Sequence, residues 1–316
     1  MMGLLSCVAI LCPAEHILAA VPVMEGGDAA ASPDATEPAA YAAWWLPPLA
    51  MVIVIVLLSR KTLRFRQLPR FPWTFKPGTG LVFFAATLLA ALVGQLIGTI
   101  FVTLPTPEAA DTLPAAELPK IMTIMSFCSL LCQGVVLAFM PGWWHGRAPG
   151  QADRRESALA CIIQGVLAFI IILPIVLGLG IIVQTLSAEL TGTAPDPLAH
   201  QTLRMLVEGQ DSVWFWTTAV LVVLAVPIVE EVLYRGLLQE SLRRHRVLMG
   251  GSPWGSIIIA SIFFTLMHIG AADWQGLPSL FVLSLGLGWI FTRTGRLIAP
   301  ITVHMLFNGF NLFMAV

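Results

Sequence analysis

Charge is scarce in this sequence of 316 residues: only 11% are Asp, Glu, Lys or Arg, whereas 57% are hydrophobic. The mean hydropathy of +0.85 excludes a water-soluble globular domain. Most of the charges fall in short stretches between long apolar runs, which predicts an all-α, polytopic membrane helix bundle surrounded by membrane lipids. A net charge of -1 leaves no basic surface for nucleic acid.

Cysteine is also scarce, and its spacing suits neither a disulfide framework nor a zinc site. The five cysteines include no C-x-x-C pair. They fall in or beside apolar runs, as small hydrophobic residues do. The sequence therefore predicts no structural metal and no bound cofactor. The five are Cys7, Cys12, Cys128, Cys132 and Cys161.

Several protease and transporter signatures are absent from the sequence. It contains no G-x-S-x-G serine elbow, no G-x-G-D aspartyl motif and no H-E-x-x-H zinc motif. It also shows no internal repeat of the kind that many transporters carry. These absences argue against the serine, aspartyl and H-E-x-x-H classes of membrane protease.

Eight apolar runs are predicted to be membrane spans, although the first and the seventh are short against the roughly 20 residues that a span needs. We predict one transmembrane helical domain over 44–316, preceded by a separate N-terminal segment, 1–43. Residues 1–21 are typical of either a cleaved export signal or an anchor, and 25–40 of a disordered exterior linker. The predicted spans are 44–59, 79–104, 120–141, 157–184, 212–240, 253–270, 277–292 and 297–315.

The basic residues predict the orientation of these spans. Fourteen of the 17 Lys and Arg residues lie in alternate loops, which the positive-inside rule assigns to the cytoplasm. We therefore expect a multi-pass integral membrane protein, in a bacterial cytoplasmic membrane, whose first span enters from outside.

Three of the predicted spans contain side chains that a bilayer disfavours. An ionisable group near the bilayer centre costs on the order of 3 kcal/mol, so such groups usually mark a pathway or a reaction site. The candidates are Glu230, Glu231 and Arg235 in the fifth span, Phe264 and His268 in the sixth, and His304 and Asn308 in the eighth.

Helical spacing in the fifth span predicts different partners for its two acids. Residues four apart share a helix face, so Glu231 can pair with Arg235. Glu230 then points elsewhere as the carboxylate without a partner. The alternative is a purely structural role, in which a buried ion-pair network only holds helices together.

The same spacing groups the polar residues of the sixth and eighth spans. Phe264 and His268 share one face, which lets the phenyl ring limit rotation of the imidazole. His304 and Asn308 share another and present two hydrogen-bond donors. Helical rise places the polar groups between about 12 and about 24 Å from the cytoplasmic rim. Their convergence, helped by a kink at Pro227, is therefore a hypothesis.

These groups permit hydrolysis of a peptide bond without a metal. Glu230, beside His268, could act as the general base that deprotonates a water. His304 and Asn308 could donate hydrogen bonds to the resulting oxyanion. Two acids and two histidines could instead bind zinc. A proton-coupled transporter, or a membrane partner without activity, could use the same buried set.

The ordered motifs E-E-x-x-x-R, F-x-x-x-H and H-x-x-x-N resemble those of the CPBP intramembrane proteases, which include the type II CAAX prenyl endopeptidases and bacteriocin-processing proteins. The resemblance covers about 212–312 and implies an endopeptidase with a peptide or lipidated protein substrate. It implies that Glu230 and His268 activate water, and that His304 and Asn308 form the oxyanion site. Glu231 and Arg235 would be mainly architectural. We expect substrate access from the cytoplasm and the lipid, between the fifth, sixth and eighth spans.

Overall fold

The structure, a computed structural model, describes residues 44–65, 76–102, 117–140, 157–192, 212–245 and 252–315. The predicted signal or anchor and the predicted linker lie outside these residues, so the division of the chain at residue 43 stays a prediction. The described residues form eight helices and no β-strand. The helices are α1 (Leu46–Ser59), α2 (Pro77–Phe101), α3 (Glu117–Ala138), α4 (Ala158–Thr191), α5 (Val213–Arg244), α6 (Pro253–Leu266), α7 (Leu277–Thr294) and α8 (Ile298–Ala315).

Six of these helices, α2 to α5, α7 and α8, are long and apolar enough to cross a membrane. Helices α1 and α6 are apolar but have 14 residues each, or about 21 Å of helix. The predicted all-α membrane bundle is confirmed, and the chain is a multi-pass membrane protein. The sixth helix ends at Leu266, four residues before the predicted end of its span.

Small residues let the helices of the scaffold approach closely. A Cβ atom on Gly94 of α2 would lie 2.5 Å from the Cys128 carbonyl oxygen of α3. A Cβ atom on Gly165 of α4 would likewise lie 2.7 Å from the nearest atom of α8. One on Gly178 of α4 would lie 2.8 Å from the nearest atom of α1. In membranes, where lipid is as apolar as leucine, such close contact between backbones is a main source of helix association.

Helix α5 departs from regular α-helical geometry twice. Its turns at Leu221–Ala225 and Val232–Gln239 are π-helical, and the short segment Val226–Glu231 between them is α-helical. Both glutamates of the E-E-x-x-x-R motif lie at the end of that short segment. Single π turns inside helices are often found at functional sites.

Two apolar clusters form the core, and helix α5 belongs to the first. That cluster joins α2, the end of α3, α5, α6 and α7, and includes Tyr234 and Phe264. The second joins α4, α7 and α8 and includes Val303 and Phe307, which lie on either side of His304. The polar residues of α5, α6 and α8 therefore meet where the two clusters adjoin.

The ends of α1, α6 and α7 lie together at one edge of the bundle. The Trp254 indole donates to the Leu63 carbonyl at 3.1 Å, and the Arg293 guanidinium donates to the Thr62 carbonyl at 2.9 Å. Arg293, in the last turn of α7, and Thr62, just after α1, belong to segments that the basic residues assign to the same side of the membrane. The helix ends are thus arranged as the predicted orientation requires.

Candidate active site

Glu231 and Arg235 form the ion pair that their spacing predicts. Arg235 Nε lies 3.2 Å from Glu231 Oε2, and neither side chain is more than 1% exposed. A buried carboxylate without a cation beside it would be strongly destabilising, so the arginine makes Glu231 tolerable inside the bundle.

Arg235 is also held by helices other than its own. Its Nη2 donates to the Ser284 hydroxyl at 2.9 Å and to the Ser284 carbonyl at 3.2 Å, both on α7. The guanidinium carbon lies 5.0 Å from the centre of the Phe264 ring of α6, a cation–π distance. The arginine therefore fixes α5 against α6 and α7 at the level of the motif.

His304 of α8 lies between the two glutamates of α5. Its Nδ1 is 2.9 Å from Glu231 Oε1, and its Nε2 is 3.7 Å from Glu230 Oε2. Because an ionised carboxylate only accepts, Nδ1 is the nitrogen that carries the hydrogen in this contact. The first contact is a charge-assisted hydrogen bond, whereas the second is too long for a direct one.

His268 is oriented by Phe264, as the spacing predicts. Its Nδ1 donates to the Phe264 carbonyl at 2.6 Å, and the two rings lie 4.4 Å apart between centroids. The helix has already ended at Leu266, and Gly270, with a φ of 95°, turns the chain away. The residue after the helix end, Met267, keeps helical backbone angles, so Phe264 and His268 still share one face although His268 lies in a turn.

The Phe264 ring joins the two histidines. It lies 5.9 Å from the His304 ring, in an edge-on arrangement, as well as 4.4 Å from that of His268. With the Glu231 contact to His304, this brings α5, α6 and α8 together at one place. Residues of the three predicted spans therefore lie together around the Phe264 ring and the Glu231 carboxylate.

Burial separates the candidate residues into two groups. Glu231, Arg235, Phe264 and His304 are buried. Glu230, with a side chain 12% exposed, is partly accessible, and so are His268 and Asn308. Within the described part of the chain, no hydrogen bond or ion pair links Glu230 to His268 directly. The neighbour of the Glu230 carboxylate is instead His304.

Asn308 makes a contact that helical spacing did not predict. Its Nδ2 donates to the Val222 carbonyl of α5 at 2.9 Å. This bond connects the C-terminal half of α8 to the first π turn of α5. One hydrogen on Nδ2 and the side-chain oxygen remain for other partners.

A zinc ion is the alternative that the sequence left open for the two acids and two histidines. Over the described ranges, no three His, Cys, Asp or Glu side chains are grouped so that they could hold a metal together. The oxygens of Glu231 already face Arg235 and His304. The folded donor set therefore does not fit a zinc site with three protein ligands.

Two contributors to this site escaped sequence analysis. Ser284, which binds Arg235, is one of two serines in the apolar helix α7, and no spacing distinguishes it from a serine that packs against lipid. The Val222 carbonyl is a backbone group without a side-chain signature. The sequence does contain a signal for this carbonyl. In a π turn its donor would be the N–H of residue 227, and Pro227 has none.

Comparison with known families agrees with the motifs. Residues 212–310 match the family model described as Type II CAAX prenyl endopeptidase Rce1-like. The matched range runs from the start of α5 to within α8, and it contains all seven candidate residues. Comparisons with curated proteins and with solved structures give no match. The resemblance to the type II CAAX prenyl endopeptidases is thus confirmed for residues 212–310.

Proposed function

We propose that this protein is an intramembrane endopeptidase of the glutamic type, in which Glu230 and His268 activate a water that attacks a substrate peptide bond. The observation that carries the proposal is that the adjacent acids Glu230 and Glu231 differ in burial and in their contacts. Glu231 is fully buried and contacts Arg235 and His304, whereas Glu230 is partly exposed and, among the described residues, has no Lys or Arg paired with it.

The two proposed activating groups are both hydrogen-bond acceptors. Since the Phe264 carbonyl takes the Nδ1 hydrogen of His268, Nε2 of the neutral ring keeps a lone pair. A water that donates one hydrogen to this nitrogen and the other to the Glu230 carboxylate has its own lone pair free to attack.

The proposed bond changes balance as follows. The water oxygen forms a bond to the carbonyl carbon while Glu230 accepts a water proton, and the carbonyl π electrons move to the oxygen. When the tetrahedral intermediate collapses, the carbon–nitrogen bond breaks and the leaving nitrogen takes that proton from Glu230. The products are a carboxylic acid and an amine, and no co-reactant is needed.

His304 and Asn308 are the proposed donors to the oxyanion. Glu231 engages the Nδ1 hydrogen of His304, so only Nε2 can face the substrate, and it can donate only when the ring carries both hydrogens. Such a ring lies between two carboxylates, which stabilise its positive charge. Glu231 is then a positioning residue that fixes the orientation of the His304 ring.

The proposed substrate is a membrane-associated peptide or lipidated protein. The family to which 212–310 is similar is described by its action on CAAX prenyl proteins, that is, proteins ending in a prenylated Cys, two aliphatic residues and a final residue. Partial exposure of Glu230, His268 and Asn308 supports access between α5, α6 and α8, from the cytoplasm and the lipid. We also propose a bacterial cytoplasmic membrane as its location.

A proteolysis assay in vesicles tests this proposal. The full-length protein is reconstituted in lipid vesicles with a prenylated CAAX peptide, the same peptide without its lipid, and a chelator in parallel samples. We expect release of the C-terminal tripeptide from the prenylated peptide, at a rate that the chelator leaves unchanged. Loss of activity with the chelator would contradict the glutamic type. No cleavage of either peptide would favour a transporter or a partner without activity.

A further inference from the structure

Pro227 lies in α5, three residues before Glu230, and removes a donor from the helix backbone. Proline has no N–H, so a carbonyl one turn earlier loses its usual partner. In this helix the preceding turn is π-helical, and the Val226 N–H donates to the Leu221 carbonyl, five residues back. In that register the next carbonyl, that of Val222, would take its hydrogen from the nitrogen of Pro227, which carries none.

Asn308 supplies the hydrogen that Pro227 withholds. Its Nδ2 donates to the Val222 carbonyl at 2.9 Å, across 86 residues of sequence. An unsatisfied backbone carbonyl in the apolar interior of a membrane protein is costly, so this bond is strongly favoured. Because a carbonyl only accepts, it also decides which end of the amide faces α5: the nitrogen points inward and its orientation is fixed.

We propose that Pro227 is a positioning residue for the active site. By freeing the Val222 carbonyl, it holds the Asn308 amide in one orientation, one turn along α8 from His304. The second hydrogen of Nδ2 is thereby presented at a fixed position for the oxyanion. This inference rests on the proposed function, because the orientation of the amide matters for catalysis only if Asn308 is a donor there.

The proposal predicts that Pro227 and Asn308 act as a unit. In Pro227→Ala a backbone N–H returns at position 227, the helix can satisfy the Val222 carbonyl itself, and Asn308 is released. Asn308→Ala removes the oxyanion donor outright, and we expect kcat to fall roughly 100-fold. Pro227→Ala should lower kcat by a smaller factor, about tenfold, with KM unchanged. The double variant should be no slower than Asn308→Ala alone.

Unfolding temperatures of the same four proteins test the bond without reference to activity. Asn308→Ala should lower the unfolding temperature of the parent protein, because the Val222 carbonyl then has no donor. In the Pro227→Ala background the same change should have little effect. Pro174→Ala, at a proline in the interior of α4, is the matched control and should leave kcat unchanged.

The outcomes separate this inference from the proposed function. Independent, additive effects of Pro227→Ala and Asn308→Ala on unfolding would overturn the inference whatever the activity. Coupled unfolding with undiminished kcat in Pro227→Ala would overturn the positioning role in an active enzyme. Coupled unfolding in a protein that cleaves no peptide would contradict the proposed function, and the positioning role with it, while leaving the hydrogen bond established.

Discussion

Helices α1 to α4 and helices α5 to α8 bury polar side chains in different ways. Over the described ranges of α1 to α4, every buried polar side chain is uncharged. Some of their hydroxyls bond within the helix, as Thr87 does to the Phe83 carbonyl at 2.7 Å, and others bond to a neighbouring helix, as Ser129 does to the Ala91 carbonyl at 3.3 Å. In α5 to α8 the buried groups include Glu231, Arg235 and Glu240.

The difference shows which part of the bundle has to be positioned accurately. A hydroxyl that bonds to its own helix is satisfied wherever that helix packs. Among the buried charges, Glu240 pairs with Arg243 and Arg244 of its own helix, whereas Glu231 and Arg235 bind α8 and α7 respectively. The charged network therefore fixes the relative positions of three helices, whereas the scaffold depends on the close fit of small and large residues. Three substitutions test this comparison.

The largest effect is expected from Arg235→Met. It leaves the buried Glu231 without its cation, which should destabilise the protein by about 3–5 kcal/mol. The double variant Glu231→Gln with Arg235→Met removes both charges and should recover part of that loss. The free energy of unfolding in detergent micelles is the measurement. An Arg235→Met variant as stable as the parent would show that the pair does not hold the helices.

A smaller effect is expected in the scaffold from Gly94→Ala. The new Cβ would lie 2.5 Å from the Cys128 carbonyl oxygen, so α2 and α3 must move apart, at about 1–3 kcal/mol. Gly134→Ala is the matched control, since a Cβ there meets nothing within 4 Å. We expect the control to be at least as stable as the parent, because alanine favours a helix over glycine. Equal effects at both glycines would contradict the account of close approach.

The smallest effect is expected from Thr218→Val. The Thr218 and Thr123 hydroxyls lie 2.6 Å apart and join α5 to α3. Hydrogen bonds between membrane helices contribute about 0.6 kcal/mol on average, so the loss of stability should be of that order. Thr87→Val, which removes a bond within one helix, should cost less. The free energy of unfolding is again the measurement. A larger loss of stability in Thr87→Val than in Thr218→Val would contradict the comparison.

Hydropathy and helical spacing predicted the parts of the structure that depend on one helix at a time. The spans follow from runs of apolar residues, and the Glu231–Arg235 and Phe264–His268 contacts follow from positions four apart. Both contacts persist although α5 is partly π-helical and α6 has ended before His268.

Contacts between helices could not be predicted in the same way. That His304 binds Glu231 with Nδ1 depends on the rotation of α8 about its axis, which no spacing encodes. The Ser284 contact with Arg235 depends likewise on α7. The π turns are invisible to an α-helical pattern, although Pro227 marks a place where a regular helix is unfavourable.

The account depends most directly on Glu230 as the base, and turnover of the prenylated peptide by Glu230→Gln tests it. Glutamine keeps the shape of the side chain but cannot take a proton, so kcat should fall at least about 100-fold while the unfolding temperature stays close to that of the parent. Glu117→Gln, at a glutamate 41% exposed at the start of α3 and paired with Lys120, is the control and should keep full activity. A folded Glu230→Gln variant that cleaves the peptide at the parent rate would contradict the account.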